Sequence, residues 1–346
     1  MGKMGQMGKT GRMGKMGRMG KMGRCVYHEC MHPAVRGDRP LIFAHRGGAG
    51  LAPENTIPAF DRGLALGVDG FELDVHLSRD GVAVVHHDPL LDRTTDATGP
   101  VAARTVAELA SVDASAGFVR AGRLWDGGPA CVPTLGEILE RYAGVKLIIE
   151  LKGPSRTLAR AVVDEVRRAN ALDRACLAGV SWRALEEARR CEPRLATSAS
   201  QLEVRVALYG WRIGLRVRSS RYDAFQVPEN AGATRVVTPR FIRSAHAAGQ
   251  VVQVWTVDDP ADIGRLLAWG VDGILTDRPD VAVAVLRDWL AHGEEAPAAV
   301  ATSESASQRP RPELGGGAPR AAKERWEGED MDDEEEKNEG EGTINK

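Results

Sequence analysis

The chain has 346 residues, of which 43% are hydrophobic and 27% charged, and its formal net charge is −2. That length suits one large domain or two ordinary ones, the apolar fraction is that of a soluble globular protein, and a charge so near zero gives no global case for binding nucleic acid. No apolar stretch is long enough to span a bilayer.

The two ends are unlike the middle. Residues 1–24, "MGKMGQMGKTGRMGKMGRMGKMGR", carry seven Lys/Arg, no acid and seven of the nine methionines. Their only apolar side chains are methionines beside glycine, which cannot assemble a core. The segment lacks the continuous apolar run of a signal peptide, and Gln6 stands where a myristoylation site needs Ser or Thr. We expect residues 1–36 to be a disordered, low-complexity basic segment, with Met31 as the natural start; a basic arm that touches RNA or an acidic surface is the rival reading. "CVYHECMH" (25–32) groups two Cys and two His that could hold zinc, but no second half with finger spacing follows. The five cysteines (Cys25, Cys30, Cys131, Cys176, Cys191) are odd in number and irregularly spaced, which fits reduced thiols in the cytoplasm.

From residue 41 the chain alternates strands and helices. "LIFAH" (41–45) is a short apolar strand that opens into the glycines of "RGGAG". "PENTIPAFDRGLALG" (53–67) follows, a helix capped by Asn55 or Thr56, with Ile57, Phe60, Leu64 and Ala65 as its apolar positions and Gly67 at its end. "GFELDVHL" (70–77) is a second strand, joined through "SRDG" to a third extended run, "VAVVHHD" (82–88). Residues 92–133 have no strong period. "TLGEILERY" (134–142) is a helix, "KLIIELK" (146–152) a strand, and a long helical region, 156–171, comes after it. Strands in "CLAGVS", "RLATSAS", "YDAFQV", "VVQVWTV" and "GVDGILTD" complete the series, each with a helical stretch behind it.

Principal strands beginning near 41, 71, 146, 176, 195, 222, 251 and 272 number eight. The pattern predicts a (β/α)8 barrel over 37–292, with a small insertion after the second strand at about 76–133 and a disordered acidic tail over 293–346. An open doubly wound sheet is the alternative.

In such barrels the chemistry sits at the C-terminal ends of the strands. Those ends hold His45 and Arg46, Glu72 and Asp74, Glu150 and Lys152, and Trp255, while the inserted run ends at His87 and Asp88. Residues two apart on a strand share a face, so Glu72 pairs with Asp74 and Glu150 with Lys152. Inward charges need a partner or an ion, and three carboxylates at an open mouth suit a hard cation, Mg2+ or Ca2+. Arg46 and Lys152 beside them complement a phosphate anion, histidines supply proton transfer near neutral pH, and the glycines allow close backbone approach to a ligand. Each residue also has a plainer reading: solvated acids on an edge strand, a core histidine at His45, a turn cap at Asp88, barrel packing at Trp255. Adjacent His86 and His87 face opposite ways, so one at most serves the mouth.

"FAHRGGAGLAPENTIPAF", "GFELDVHLSRDGVAVVHHDPLLDRTT", "LIIELK", "VQVWTVDD" and "GVDGILTDRP" resemble, in order, the glycerophosphodiester phosphodiesterase family across about residues 40–285. The resemblance implies a barrel of this kind and a metal-dependent hydrolysis of small-molecule glycerophosphodiesters to glycerol 3-phosphate and an alcohol. It places the family's His-Arg pair on His45 and Arg46, its metal ligands on Glu72, Asp74 and Glu150, its second histidine on His87 and its lysine on Lys152. His45 and His87 would be the acid–base pair, and Trp255 would wall the substrate cleft. The family's usual Asn after "WTV" is Asp258 here, which puts the cleft wall in question. A lysophospholipase D-like enzyme on the same site and an inactive barrel used as a binding module are the other readings, and the sequence does not fix an oligomeric state.

Overall fold

In the computed structural model, residues 31–215 and 221–292 are described. Eight parallel strands form a ring: β1 (Leu41–His45), β2 (Gly70–Leu77), β4 (Lys146–Leu151), β5 (Ala175–Ala178), β6 (Ala196–Thr197), β7 (Ala224–Pro228), β10 (Val251–Trp255) and β11 (Gly273–Thr276). Between them run β3 (Ala83–Val85), antiparallel to β2, and the small hairpin β8 (Asn230–Ala231) with β9 (Thr234–Arg235). Seven neighbouring pairs form regular parallel ladders. The last join, β6 to β7, is a single bridge, Ser198↔Ala224, with Asp223 N donating to Thr197 O (2.8 Å) and Ala199 N to Ala224 O (2.8 Å). The eight predicted strand starts all fall within two residues of the observed ones. The open sheet is excluded because β6 and β7, the strands at the two ends of the hydrogen-bonded order, meet through the Ser198↔Ala224 bridge, while the first strand pairs with the last, Leu41 opposite Gly273.

Alternation along each strand divides two cores. Phe71, Leu73 and Val75 of β2 and Leu147, Ile149 and Leu151 of β4 face the outer helices, so Glu72, Asp74, Ile148 and Glu150 face the barrel axis. Below the mouth the axis is filled by Phe43, Ile148, Ala178 and Leu275. At the opposite end Met31, Ala34 and Val35 are buried against Cys176, Ala196, Ala224 and Val251 and stopper the barrel. The expected boundary at residue 36 therefore falls just past this plug. Cys25, His28, Cys30, the repeat 1–24 and the tail 293–346 lie outside the described residues.

The helix after β1 is Ile57–Ala65, and Thr56, not Asn55, caps it, its Oγ1 accepting from Ala59 N. Its buried face is Ala59, Phe60 and Gly63, whereas the predicted contacts Leu64 and Ala65 are exposed. The face turns because Gly63 brings the helix onto the end of β1: a Cβ there would lie 3.1 Å from Gly47 O and 3.2 Å from Ala44 Cβ. The insertion carries a satellite core of its own, Val84, Leu91, Val101, Leu109, Val112 and Val132 among its members. Among the described residues no helix is long and apolar enough to cross a membrane.

Candidate active site

The eight residues singled out from sequence end up around the C-terminal rim of one barrel. Ladder register sets most of this. His45 is opposite Glu72 across β1–β2, and Asp74 is opposite Glu150 across β2–β4. One oxygen from each of Glu72, Asp74 and Glu150 falls within 4.8 Å of the others. Lys152, just past β4, sets its Nζ 2.8 Å from Asp74 Oδ1 and 3.0 Å from Glu150 Oε1.

Arg46 sits in the left-handed region (φ 51°), which swings its side chain back over the mouth. Its amide donates to Glu72 Oε2 (3.0 Å), its Nη1 to Glu54 Oε1 (3.0 Å), and its Nε lies 3.3 Å from Asp74 Oδ2. The glycines that follow serve close packing. A Cβ on Gly47 would lie 2.8 Å from Ala59 Cβ, and one on Gly50 would lie 2.6 Å from Asp277 O.

The histidines differ in their surroundings. His45 Nδ1 is 2.7 Å from Asp277 Oδ1, and its Nε2 is 3.7 Å from Glu72 Oε2. Burial disfavours its charged form, but the Glu72 carboxylate, with Asp277, outweighs burial and the opposing Arg46 and pulls it up to about 9. His87 Nδ1 is 2.5 Å from Asp88 Oδ1, and its carbonyl lies 2.9 Å from His76 Nε2. A positive charge on its ring would favour the carboxylates of both Asp74 and Glu54. His86 turns the other way, buried, with Nε2 3.2 Å from Leu90 O.

Burial pushes the Glu72 carboxyl up to about 8, reinforced by the negative charges of Asp74 and Glu150. Burial opposes the Asp74 charge as well, yet Lys152 and Arg46 hold that carboxyl far below the usual range. Three converging oxygen donors on neighbouring strands, one of them disfavoured by its neighbours' negative charge, fit a hard divalent cation.

Sequence reasoning missed what four supporting residues touch. Asn55, also left-handed (φ 59°) and 2% exposed, donates from Nδ2 to Asp74 Oδ2 (2.8 Å). Asp277 orients His45. Arg93, from the insertion, forks onto Asp88 (2.6 and 2.9 Å) and onto Glu54 (2.7 and 2.9 Å). An Asn ahead of a helix and an Asp directly after an apolar strand were legible as types, but their partners lie far off in sequence. Asp258 is the fourth. Its Oδ1 accepts from Thr276 Oγ1 and from Asp277 N, both at 2.8 Å, so it braces the turn behind His45.

Beside the carboxylates opens a pocket at the mouth of the barrel. His45, Glu72 and Glu150 line one side, and Trp255, Ile148, Ala178, Val180, Val204 and Leu275 give it an apolar wall. Trp255 also packs on the axial core below.

Comparison with known proteins agrees with this geometry. The sequence profile of the glycerophosphoryl diester phosphodiesterase family matches residues 45–281. The glycerophosphodiester phosphodiesterase of Caldanaerobacter subterraneus subsp. tengcongensis is 30% identical over 254 residues, covering 72% of this chain and 98% of that protein. The glycerophosphodiester phosphodiesterase of Bacillus altitudinis is 33% identical over 251 residues, 70% of this chain and 97% of its own. Among solved structures, a phosphodiesterase of Oleispira antarctica in complex with the product sn-glycerol-3-phosphate superposes with a TM-score of 0.59 at 25% identity, covering 72% of this chain and 97% of that one.

Proposed function

The chain belongs to the glycerophosphoryl diester phosphodiesterase family and is a phosphoric diester hydrolase; from that premise we propose that its rim residues hydrolyse a glycerophosphodiester to glycerol 3-phosphate and an alcohol in a metal-dependent reaction. The observation that carries this reading is the meeting of three carboxylates with His45, Arg46 and Lys152 at one end of the barrel.

Glu72, Asp74 and Glu150 would hold Mg2+ or Ca2+, which when bound supplies positive charge to a phosphoryl oxygen. Arg46 and Lys152 would face the remaining phosphoryl oxygens and offset charge that builds as the attacking oxygen closes on phosphorus. The bond from phosphorus to the alcohol oxygen breaks, and that oxygen needs a proton. One histidine takes the proton of the attacking hydroxyl, from water or from the substrate's own glycerol, and the other supplies the leaving oxygen; attack by the glycerol hydroxyl gives a cyclic phosphate, which water then opens to glycerol 3-phosphate. Asp277 and Asp88 each hold the Nδ1 side of a ring, so Nε2 would carry the transferred proton in His45 and in His87. The described thiols of Cys131, Cys176 and Cys191 are free, in keeping with the reducing cytoplasm as the place of action.

The apolar wall beside Trp255 favours a second reading, a lysophospholipase D-like reaction in which the pocket takes an apolar group. One assay addresses both: release of glycerol 3-phosphate from glycerophosphocholine, and of choline from lysophosphatidylcholine, with and without divalent metal. Hydrolysis of the first substrate is expected. Activity on neither, with metal present, would leave the barrel as a binding module and overturn the proposal.

A further inference from the structure

The helix Gln201–Arg212, which follows β6, is apolar on two opposite faces. Val204, Ala207, Leu208 and Trp211 are buried against the barrel. Leu202, Val206 and Tyr209 are 56%, 55% and 54% exposed, and Ile213 at the C-cap is 76% exposed. At about 100° per residue the second set is centred about 180° from the first, so it points straight away from the core. Solvent-facing positions of a globular helix are ordinarily polar, and a helix apolar all round is ordinarily covered.

The stripe starts at the rim. Gln201 N donates to Val180 O (3.3 Å), and both residues line the mouth pocket. Val180 and Trp182, which opens the neighbouring helix Trp182–Cys191, are 50% and 42% exposed. Exposed apolar side chains thus stand at the edge of the pocket and along the outward face of the helix beside it.

Its edges carry two arginines and one acid. Arg205 and Arg212 flank one edge, and the Arg212 guanidinium lies over the Tyr209 ring, 5.6 Å from its centroid. The acid on the other edge, Glu203, is already engaged by the Ser200 cap and by Arg189 (2.8 and 3.1 Å). A second copy is a poor cover: antiparallel pairing of Leu202, Val206, Tyr209 and Ile213 with themselves sets Arg205 against Arg212 of the copy. An anionic surface with apolar depth meets both features.

We propose that this face docks on an anionic phospholipid surface, with Val206, Tyr209 and Ile213 seated among the acyl chains, Arg205 and Arg212 at the headgroups, and the pocket mouth held beside the membrane. Exposed aliphatic and aromatic side chains edged by arginine match the composition of helices that lie in a membrane interface. The inference rests on surface geometry and not on the reaction assigned to the pocket.

The test is co-sedimentation of the full chain with vesicles of phosphatidylcholine, alone and mixed with phosphatidylglycerol, in physiological salt. The chain is expected to bind the mixed vesicles. Val206→Glu with Tyr209→Glu is expected to weaken that binding at least about tenfold, with glycerophosphocholine turnover and thermal unfolding unchanged. Arg205→Glu with Arg212→Glu, placed at exposed positions, must weaken it too, which covers the case of an unfolded first variant. Absence of binding by the unaltered chain overturns the inference. So does equal binding by the variants, which assigns the attraction to the basic segment 1–24. A dimer in sedimentation velocity that the first variant dissociates overturns it as well, because a second copy then covers the stripe.

Discussion

Asp277 Oδ1 lies 2.7 Å from His45 Nδ1, across a gap of 232 residues in sequence. The contact exists because β11 pairs with β1, which brings the turn after Thr276 alongside the end of the first strand. An anionic acceptor on Nδ1 fixes the ring's tautomer and stabilises the imidazolium that a proton transfer creates. Asp277→Ala is expected to lower turnover of glycerophosphocholine by about one to three orders of magnitude, with a smaller change in KM. Unchanged kcat would remove Asp277 from the reaction.

Asp258 acts through the same turn. Both of these contacts are made by one acceptor oxygen, which an asparagine also has. Asp258→Asn is therefore expected to keep activity, and Asp258→Ala to lose part of it with little effect on KM. The departure from the family's usual Asn then bears on the brace behind His45 and not on the cleft wall. A large KM effect in the Asn variant would return Asp258 to the wall.

The metal prediction has two readouts. A chelator is expected to abolish turnover, and Mg2+ or Ca2+ to restore it. Because a cation that binds only the folded chain stabilises it by mass action, added metal should also raise the unfolding temperature. Glu72→Gln, Asp74→Asn and Glu150→Gln should each shrink that rise. Full activity in excess chelator, together with a metal-independent unfolding temperature, would remove the cation from the site.

His45→Ala and His87→Ala are each expected to cost about two to four orders of magnitude in kcat. His86→Ala should cost stability and leave kcat near that of the unaltered chain, since its ring is buried with Nε2 3.2 Å from Leu90 O. Side-by-side turnover of the three variants decides. A crippled His86 variant with an active His87 variant would mean that the wrong ring had been placed at the mouth.

Strand identity was legible because alternation on a parallel barrel is strict: the outward apolar set of β2, Phe71, Leu73 and Val75, leaves Glu72 and Asp74 nowhere to go but inward. His45, Arg46 and Lys152 followed from their places one or two residues past the apolar runs. What sequence hid was pairwise. Asn55 reads as a helix cap until its φ of 59° turns it onto Asp74, and Thr56 takes the cap. Arg93 sits in a stretch with no period, and nothing local says that its guanidinium joins Asp88 to Glu54. The plug was hidden for a different reason: Met31, Ala34 and Val35 carry too little apolar pattern for their burial to be read before the barrel's open end is known.

Arg93 also gives the clearest pH prediction. Burial alone would raise the Glu54 carboxyl, but the hydrogen bonds from Arg93 and the charges of Arg46 and Arg93 hold it at about 2, against an ordinary 4.5. The same guanidinium helps hold Asp88 well below its ordinary range, against burial. A carboxyl whose folded value is depressed binds its proton more readily when the chain is unfolded, so its contribution is complete above about pH 4.5 and is lost as pH falls toward 2. For Glu54 that contribution is on the order of 3 kcal/mol. Arg93→Met removes both forks, lets Glu54 return toward its ordinary value and leaves two carboxylates short of a partner. The variant is expected to be less stable at neutral pH. The gap from the unaltered chain should be widest above about pH 4.5 and should narrow as pH falls toward 2, where Glu54 protonates in both. Denaturant unfolding of the two chains at a series of pH values measures it. A gap that stays constant from pH 7 to pH 2 would mean that Arg93 contributes packing alone, and that its charge does not hold the carboxylates beside His87.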